Sequence, residues 1–261
     1  MRDRDKNPLA KMLLIGLVAS IIGVAIALAI DWFPQAATTK AGEIDTLYDV
    51  LLIVSVPVFV LVMTVAIYSV VRFRARPGDM SDGEPIHGNT RLEVVWVAVP
   101  TIIVSVLAAY AWIVLNDVEA KKPNEIHVRV IAQQFAWHFQ YLDEAGKPTT
   151  NTLYLPEGQS VKFDVVTRDV LHSFWVPSFR LKTDTVPGLT THIRVTPNRL
   201  GTFDIVCAEL CGLGHSTMRQ NAHVVSPQAY KTWISKQKPG ATGGGAAPGA
   251  SASASPTIPA G

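Results

Sequence analysis

Three unbroken apolar runs dominate the first half of this chain: Met12 to Ile30, Val50 to Val71 and Val94 to Leu115. None holds a charged residue, and each reaches the roughly 20 residues an α-helix needs to cross the hydrocarbon core of a bilayer. A buried hairpin in a soluble protein would carry a polar stripe, and these runs have none. Pro57 and Pro100 fall inside the second and third runs, which membrane helices tolerate when neighbouring groups satisfy the freed carbonyls. Beyond Leu115 the pattern changes to alternation. Ile126, Val128 and Val130, then Val161, Phe163 and Val165, then Ile193 and Val195, then Phe203, Ile205 and Cys207 recur with period two. Turn-forming stretches such as DEAGKP and LPEGQ separate them, which predicts an antiparallel β-sandwich. Ser226 and Pro227 read as the cap and first turn of a short helix with Tyr230, Trp233 and Ile234 on its apolar face. From Pro239 the chain is Gly, Ala, Ser and Pro with almost no large apolar side chain, which predicts a disordered tail.

The expected organisation follows. Residues 1–46 form a cytoplasmic segment, an extra membrane helix over about 12–30 and an external loop; residues 47–116 form a transmembrane hairpin with spans at about 50–71 and 94–115; residues 117–238 form an exported domain; residues 239–261 are the tail. A hydrophobic content of 48%, a charged fraction of 17% and a mean hydropathy of +0.24 agree with a membrane protein. The net charge of +2 comes from scattered residues, so no clustered basic footprint for nucleic acid exists. Arg2, Arg4, Lys6 and Lys11 precede the first run, and Arg72, Arg74, Arg76 and Arg91 lie between the second and third, against Lys40 alone between the first and second. The positive-inside rule therefore puts the N-terminus and the 72–93 loop in the cytoplasm and everything after Leu115 outside. A basic start and the small residues near Ala36 and Ala37 also fit a cleaved signal sequence, but the apolar part is long for one; a retained helix is expected, and the remaining topology is the same either way.

The only two cysteines, Cys207 and Cys211, stand in CAELCGLGHSTM, followed by His215 and Met218 at tight spacing, while His172 waits on an earlier strand in DVLHSFWVPSF. Thiolate and thioether ligands suit copper, and one His/His/Cys/Met set satisfies a single blue-copper ion. The second cysteine is surplus to one ion and suggests two thiolates bridging two coppers. Other readings of the same residues are a disulfide, a Cys2His2 zinc site that leaves Met218 without a role, and plain packing. His87, His127, His138, His192 and His223 have no partner at ligand spacing and read as surface or hydrogen-bonded residues.

HSFWVPSFRLKTDTVPG followed by CAELCGLGHSTM resembles subunit II of cytochrome c oxidase, as do HGNTRLEVVWVAVPT and QQFAWHFQY, so the resemblance covers roughly residues 45–235. It implies a cupredoxin-like sandwich behind the membrane helices, in the plasma membrane of a bacterium, with a binuclear copper centre, CuA, on the outer face. Carried over by position, Cys207 and Cys211 bridge the coppers, His172 and Met218 complete one, and His215 with the backbone carbonyl of Glu209 completes the other. The Glu209 carboxylate would also reach a magnesium ion shared with subunit I. The implied partners are subunit I, which carries the haems, subunit III, a donor cytochrome c and the lipid bilayer. A fused haem c domain is excluded, because no CxxCH motif is present.

Further family positions carry over less directly. Trp137 and Phe135 match the aromatic patch where cytochrome c hands over its electron; the family commonly has tryptophan at both positions. With phenylalanine at 135 the expected entry residue is Trp137, against a competing reading as core or interface packing. Glu93 matches a glutamate at the inner mouth of a proton pathway into subunit I; the competing reading is an interfacial carboxylate. Leu189 stands where the family pattern PGR has arginine. Residues 117–238 hold 14 Lys and Arg against 11 Asp and Glu, a net of +3, so an acidic surface that attracts a basic donor is not expected. A membrane-tethered copper-binding or copper-delivery protein is the alternative function; it needs only an anchor, whereas two long helices beside LEVVW favour the oxidase.

Overall fold

The computed structural model describes residues 8–239 apart from 76, 79, 81, 83, 84 and 86. Arg2, Arg4, Lys6, Arg76 and all but the first residue of the expected tail lie outside the described residues. The chain divides into two compact units, 1–120 and 121–261.

The first unit is helical: α1 (Pro8–Ala29), α2 (Ala41–Phe73) and α3 (Thr90–Val118). All three are long and apolar enough to cross a membrane. α1 and α2 pack closely where Gly23 faces Val56; an added Cβ would come within 2.9 Å of Val56 Cγ1. α2 begins nine residues before the apolar run at Val50, ahead of the expected hairpin boundary at 47, and its 33 residues extend to about 50 Å, beyond the roughly 30 Å hydrocarbon core. Its polar first turns are charge-anchored. Lys40 pairs with Glu43 at 2.8 Å and with Asp117 in the last turn of α3. Trp32 and Phe33, which follow α1, meet Tyr48 edge-on with ring centroids 6.1 and 5.0 Å apart, as expected of an aromatic group at a membrane interface.

The second unit contains β1 (Ile126–Gln133), β2 (Ala136–Tyr141), β3 (Thr149–Thr150), β4 (Leu153–Pro156), β5 (Val161–Thr167), β6 (His172–Val176), β7 (Leu181–Thr185), β8 (Thr191–Val195), β9 (Gly201–Cys207), β10 (Arg219–Val225) and α4 (Pro227–Ile234). They form two five-stranded sheets, in the orders β3-β2-β1-β5-β8 and β4-β10-β9-β6-β7. The alternation is realised in burial: Val128, Val130, Val161, Phe163, Val165 and Ile205 are all inaccessible to solvent. Phe174 on β6 joins the layers, with its ring centroid 5.4 Å from Trp137, 6.3 Å from Phe139 and 5.7 Å from Phe163 of the other sheet. Ser226 caps α4 by accepting from the Ala229 N–H at 3.3 Å.

The sandwich is not purely antiparallel, as its period-two pattern suggested. β1 pairs with β5 in parallel, and β4 with β10. Parallel neighbours need a long crossover, and here β2 to β4 lie between β1 and β5 in the chain, and β5 to β9 between β4 and β10. Alternation reports which face a side chain occupies; the direction of the neighbouring strand is set by the crossovers.

Candidate metal centre

The cysteine loop is the connection between neighbouring strands. β9 ends at Cys207 and β10 begins at Arg219, and the Cys207 N–H donates to the Met218 carbonyl at 3.2 Å, closing the loop at its base. On its other side β9 pairs with β6, with Phe174 opposite Cys207, and the Ala208 N–H donates to the Ser173 carbonyl at 3.0 Å. This register brings His172, at the start of β6, beside the end of β9. Within the loop, a single 3₁₀ turn over His215–Thr217 aims His215 back toward Cys211.

Six expected ligands meet here. The Cys207 and Cys211 sulfurs stand 3.9 Å apart as free thiols. Cys207 Sγ lies 3.9 Å from His172 Nδ1 and 3.2 Å from the Glu209 carbonyl oxygen. Cys211 Sγ lies 3.7 Å from His215 Nδ1 and 3.9 Å from Met218 Sδ. The ligand atoms of His172, Cys207 and Cys211 all fall within 4.8 Å of one another, a spacing that one ion can bridge, and all three residues are buried. Burial and the adjacent Cys207 push the Cys211 thiol well above its usual range, so two thiolates at this separation need a cation to compensate them. Two soft sulfurs, two imidazoles, a thioether and a carbonyl form a donor set suited to copper, whereas zinc would leave Met218 unused. The half-buried Glu209 carboxylate makes no hydrogen bond or ion pair among the described residues.

Three residues missed by sequence reasoning support this set. Asp169 Oδ1 accepts from His172 Nε2 at 2.8 Å; a carboxylate can only accept, so the ring proton sits on Nε2 and the Nδ1 lone pair faces Cys207. Burial disfavours ionisation of Asp169, but hydrogen bonds from His172, the Gln134 and Val170 N–H groups and Thr167 together hold its carboxyl below the ordinary carboxylate range. Gln134 Nε2 donates to the Cys211 carbonyl at 2.7 Å. Thr185 Oγ1 accepts from the His172 N–H at 3.1 Å. Asp169 could have been sought from the sequence, because it stands three residues before a candidate histidine ligand. Gln134 gives no such signal, being 77 residues from its partner.

The aromatic candidates separate. Trp137, the expected electron-entry residue, is 1% exposed and meets His172 edge-on with centroids 6.2 Å apart, so it cannot touch a docked protein. It alternates inward on β2, between Phe174 and the ligand histidine. Phe135 is 38% exposed and covers Gly212 and Gly214 of the cysteine loop. Glu93 is exposed in the first turn of α3; its Oε1 accepts from the Asn89 N–H at 3.2 Å while Asn89 Oδ1 accepts from the Leu92 N–H, a reciprocal cap. Four of the five other histidines pair with polar neighbours: His127 with Asp143, His138 with Asn151, His192 with Asp164 and His223 with Thr202.

Comparison with known proteins gives the family. The family model for the transmembrane domain of cytochrome c oxidase subunit II matches residues 17–114, and the model for its periplasmic domain matches residues 144–225. Cytochrome c oxidase subunit 2 of Thermostichus vulcanus is 30% identical, over 84% of this chain and 82% of that protein. The protein of the same name from Synechocystis is 29% identical, over 87% and 84%. A crystal structure of the periplasmic domain of subunit II of cytochrome oxidase from Bradyrhizobium japonicum covers 46% of this chain and 96% of that one, at 24% identity and a TM-score of 0.43. With membrane-spanning helices ahead of a two-sheet domain and relatives matched along most of its length, this chain belongs to the cytochrome c oxidase subunit II family.

Proposed function

We propose that this chain is the electron-transfer subunit of a cytochrome c oxidase. It takes electrons from a cytochrome c outside the membrane and delivers them to haem in subunit I, where dioxygen is reduced to water with proton translocation. The Cys207–Cys211 loop is its copper site. One observation carries this reading: two free, buried cysteines 3.9 Å apart, each facing a histidine Nδ1. When bound, a binuclear copper centre supplies one-electron storage with little geometric change. The protein's part is to hold the ligands on a rigid sheet end and exclude water from them. Cys207 and Cys211, with His172, His215, Met218 and the Glu209 carbonyl, are the residues that would hold the centre.

Subunit I is the partner that the family assignment brings. To it we add subunit III, the donor cytochrome c and a magnesium ion held by the Glu209 carboxylate at the junction with subunit I. Phe135 is the entry residue of choice, because it reaches solvent while covering the ligand loop. Glu93 is assigned to the inner mouth of a proton path, a role to be weighed against its capping contact with Asn89. By the loop charges, the two-sheet domain lies on the outer face of the membrane.

Copper quantitation with electron paramagnetic resonance on the purified full chain tests the reading. The expected result is two coppers per chain with hyperfine structure shared over both nuclei, lost in Cys207→Ser. A single copper with an ordinary one-nucleus spectrum would instead favour copper delivery, and zinc a structural role.

A further inference from the structure

Asp169 and Gln134 lie outside the ligand set, on the β5–β6 and β1–β2 turns, yet together they touch both halves of it. Asp169 Oδ1 accepts from His172 Nε2 at 2.8 Å, from the Val170 N–H at 2.7 Å and from Thr167 Oγ1 at 3.2 Å. Its Oδ2 accepts from the Gln134 N–H at 2.6 Å. The Gln134 side chain then donates to the Cys211 carbonyl at 2.7 Å. The adjacent Phe135 ring closes over the same loop, so near that a Cβ on Gly212 would lie 3.2 Å from Phe135 Cζ. His172 and Cys211 belong to segments 39 positions apart and share no direct hydrogen bond among the described residues.

We infer that Asp169 and Gln134 are positioning residues forming one brace in series, His172–Asp169–Gln134–Cys211, which fixes the histidine tautomer at one end and the cysteine loop at the other. The chemistry requires a carboxylate at its centre. Both oxygens face donors, so an asparagine fails in either orientation. With its NH2 toward His172, it drives the ring proton onto Nδ1 and removes the lone pair that faces Cys207. With its NH2 toward Gln134, it opposes the backbone N–H and releases the turn from Cys211. A series arrangement has a specific consequence: once one link is cut, cutting the next adds little.

This inference rests on the proposed copper site only for its second readout. The test uses the full chain in detergent as parent, Asp169→Asn, Gln134→Leu and the double variant, each checked for melting temperature. Gln134→Leu leaves Asp169 and His172 untouched and keeps the size of the side chain, so it serves even if Asp169→Asn folds poorly. First, the copper-free proteins are alkylated with iodoacetamide and Cys207 and Cys211 followed by mass spectrometry. Each single variant should react about tenfold faster than the parent, with the double variant no faster than the faster single one. Second, copper-loaded proteins are challenged with a chelator; each single variant should lose copper about 10–100-fold faster, with a changed hyperfine pattern. Parental alkylation rates in both single variants, or multiplied effects in the double variant, overturn the brace. A lowered melting temperature with parental alkylation and copper release does the same, since it would mark a merely structural role. A parent chain that takes up no copper refutes the copper reading and leaves the brace to be judged on alkylation.

Discussion

Gly214 lies directly beneath the ring of Phe135: a Cβ on Gly214 would sit 2.5 Å from Phe135 Cδ2 and 2.6 Å from Cγ. No side chain fits that gap, so the loop and the aromatic cover are matched in shape. Gly214→Ala should lower the melting temperature by several degrees and speed copper release. Phe135→Ala in the same chain should restore part of both, because the clash is with the ring. Calorimetry and chelator kinetics on the two variants check this; no recovery in the double variant would show that the glycine acts by another route.

The exposures of Trp137 and Phe135 predict a split in kinetics. Trp137→Phe removes an indole whose N–H has no partner among the described residues, and it should change stability or the site's potential while leaving the KM for a donor cytochrome c unchanged. Phe135→Ala should act on electron entry. Steady-state turnover against donor concentration separates the two, and a KM change confined to Trp137→Phe would reverse the assignment.

Donor docking should depend weakly on salt. The net charge of +3 over residues 117–238 gives no acidic field to attract a basic cytochrome, and Leu213 and Phe135 place exposed apolar surface on and beside the ligand loop. Turnover should change by less than about threefold between about 20 and about 200 mM salt. A steep fall over that range would show that local charges dominate the approach.

Glu125 offers a pH test of stability away from the metal site. Its buried carboxylate meets Arg194 Nε at 3.1 Å, the Lys122 N–H at 3.0 Å and Ser160 Oγ at 3.3 Å. Burial raises its pKa, but the combined hydrogen bonds and the guanidinium charge win and hold it below the ordinary value of 4.5. A depressed acid stabilises the fold above its unfolded pKa and loses that contribution as pH falls through the folded one. Glu125→Gln should therefore cost about 1–3 kcal/mol at neutral pH and converge on the parent as pH falls from the ordinary value of 4.5 through the lowered folded one. A gap that persists unchanged in acid would assign the loss to packing.

Much of this architecture was legible in the residues. Uncharged runs of membrane length can only be helices in lipid, because every backbone group there must be satisfied within the segment. Period-two alternation marked β1, β5, β8 and β9, and most of their alternate residues line the core, with Ile126, Ile193 and Phe203 only half-buried. The candidate sulfur and imidazole donors were legible because few residue types bind soft metals, and four of the five side chains concerned fall within twelve positions.

Tertiary structure decided the rest. The parallel pairs β1–β5 and β4–β10 depend on which crossover brings which strand alongside, and alternation carries no trace of that. Trp137 and Phe135 look equivalent two positions apart in the chain, but the site's geometry buries one beneath His172 and lays the other over Gly214. Asp169 and Gln134 became part of the site only when three separate turns met around the end of β9. The sequence by itself determined which soft donors are present and where the membrane anchor lies, since both follow from residue type and local period. The set of residues that hold those ligands in place was decided by folding, since hydrogen bonds across 35 and 77 positions form only when the sheets bring their ends together.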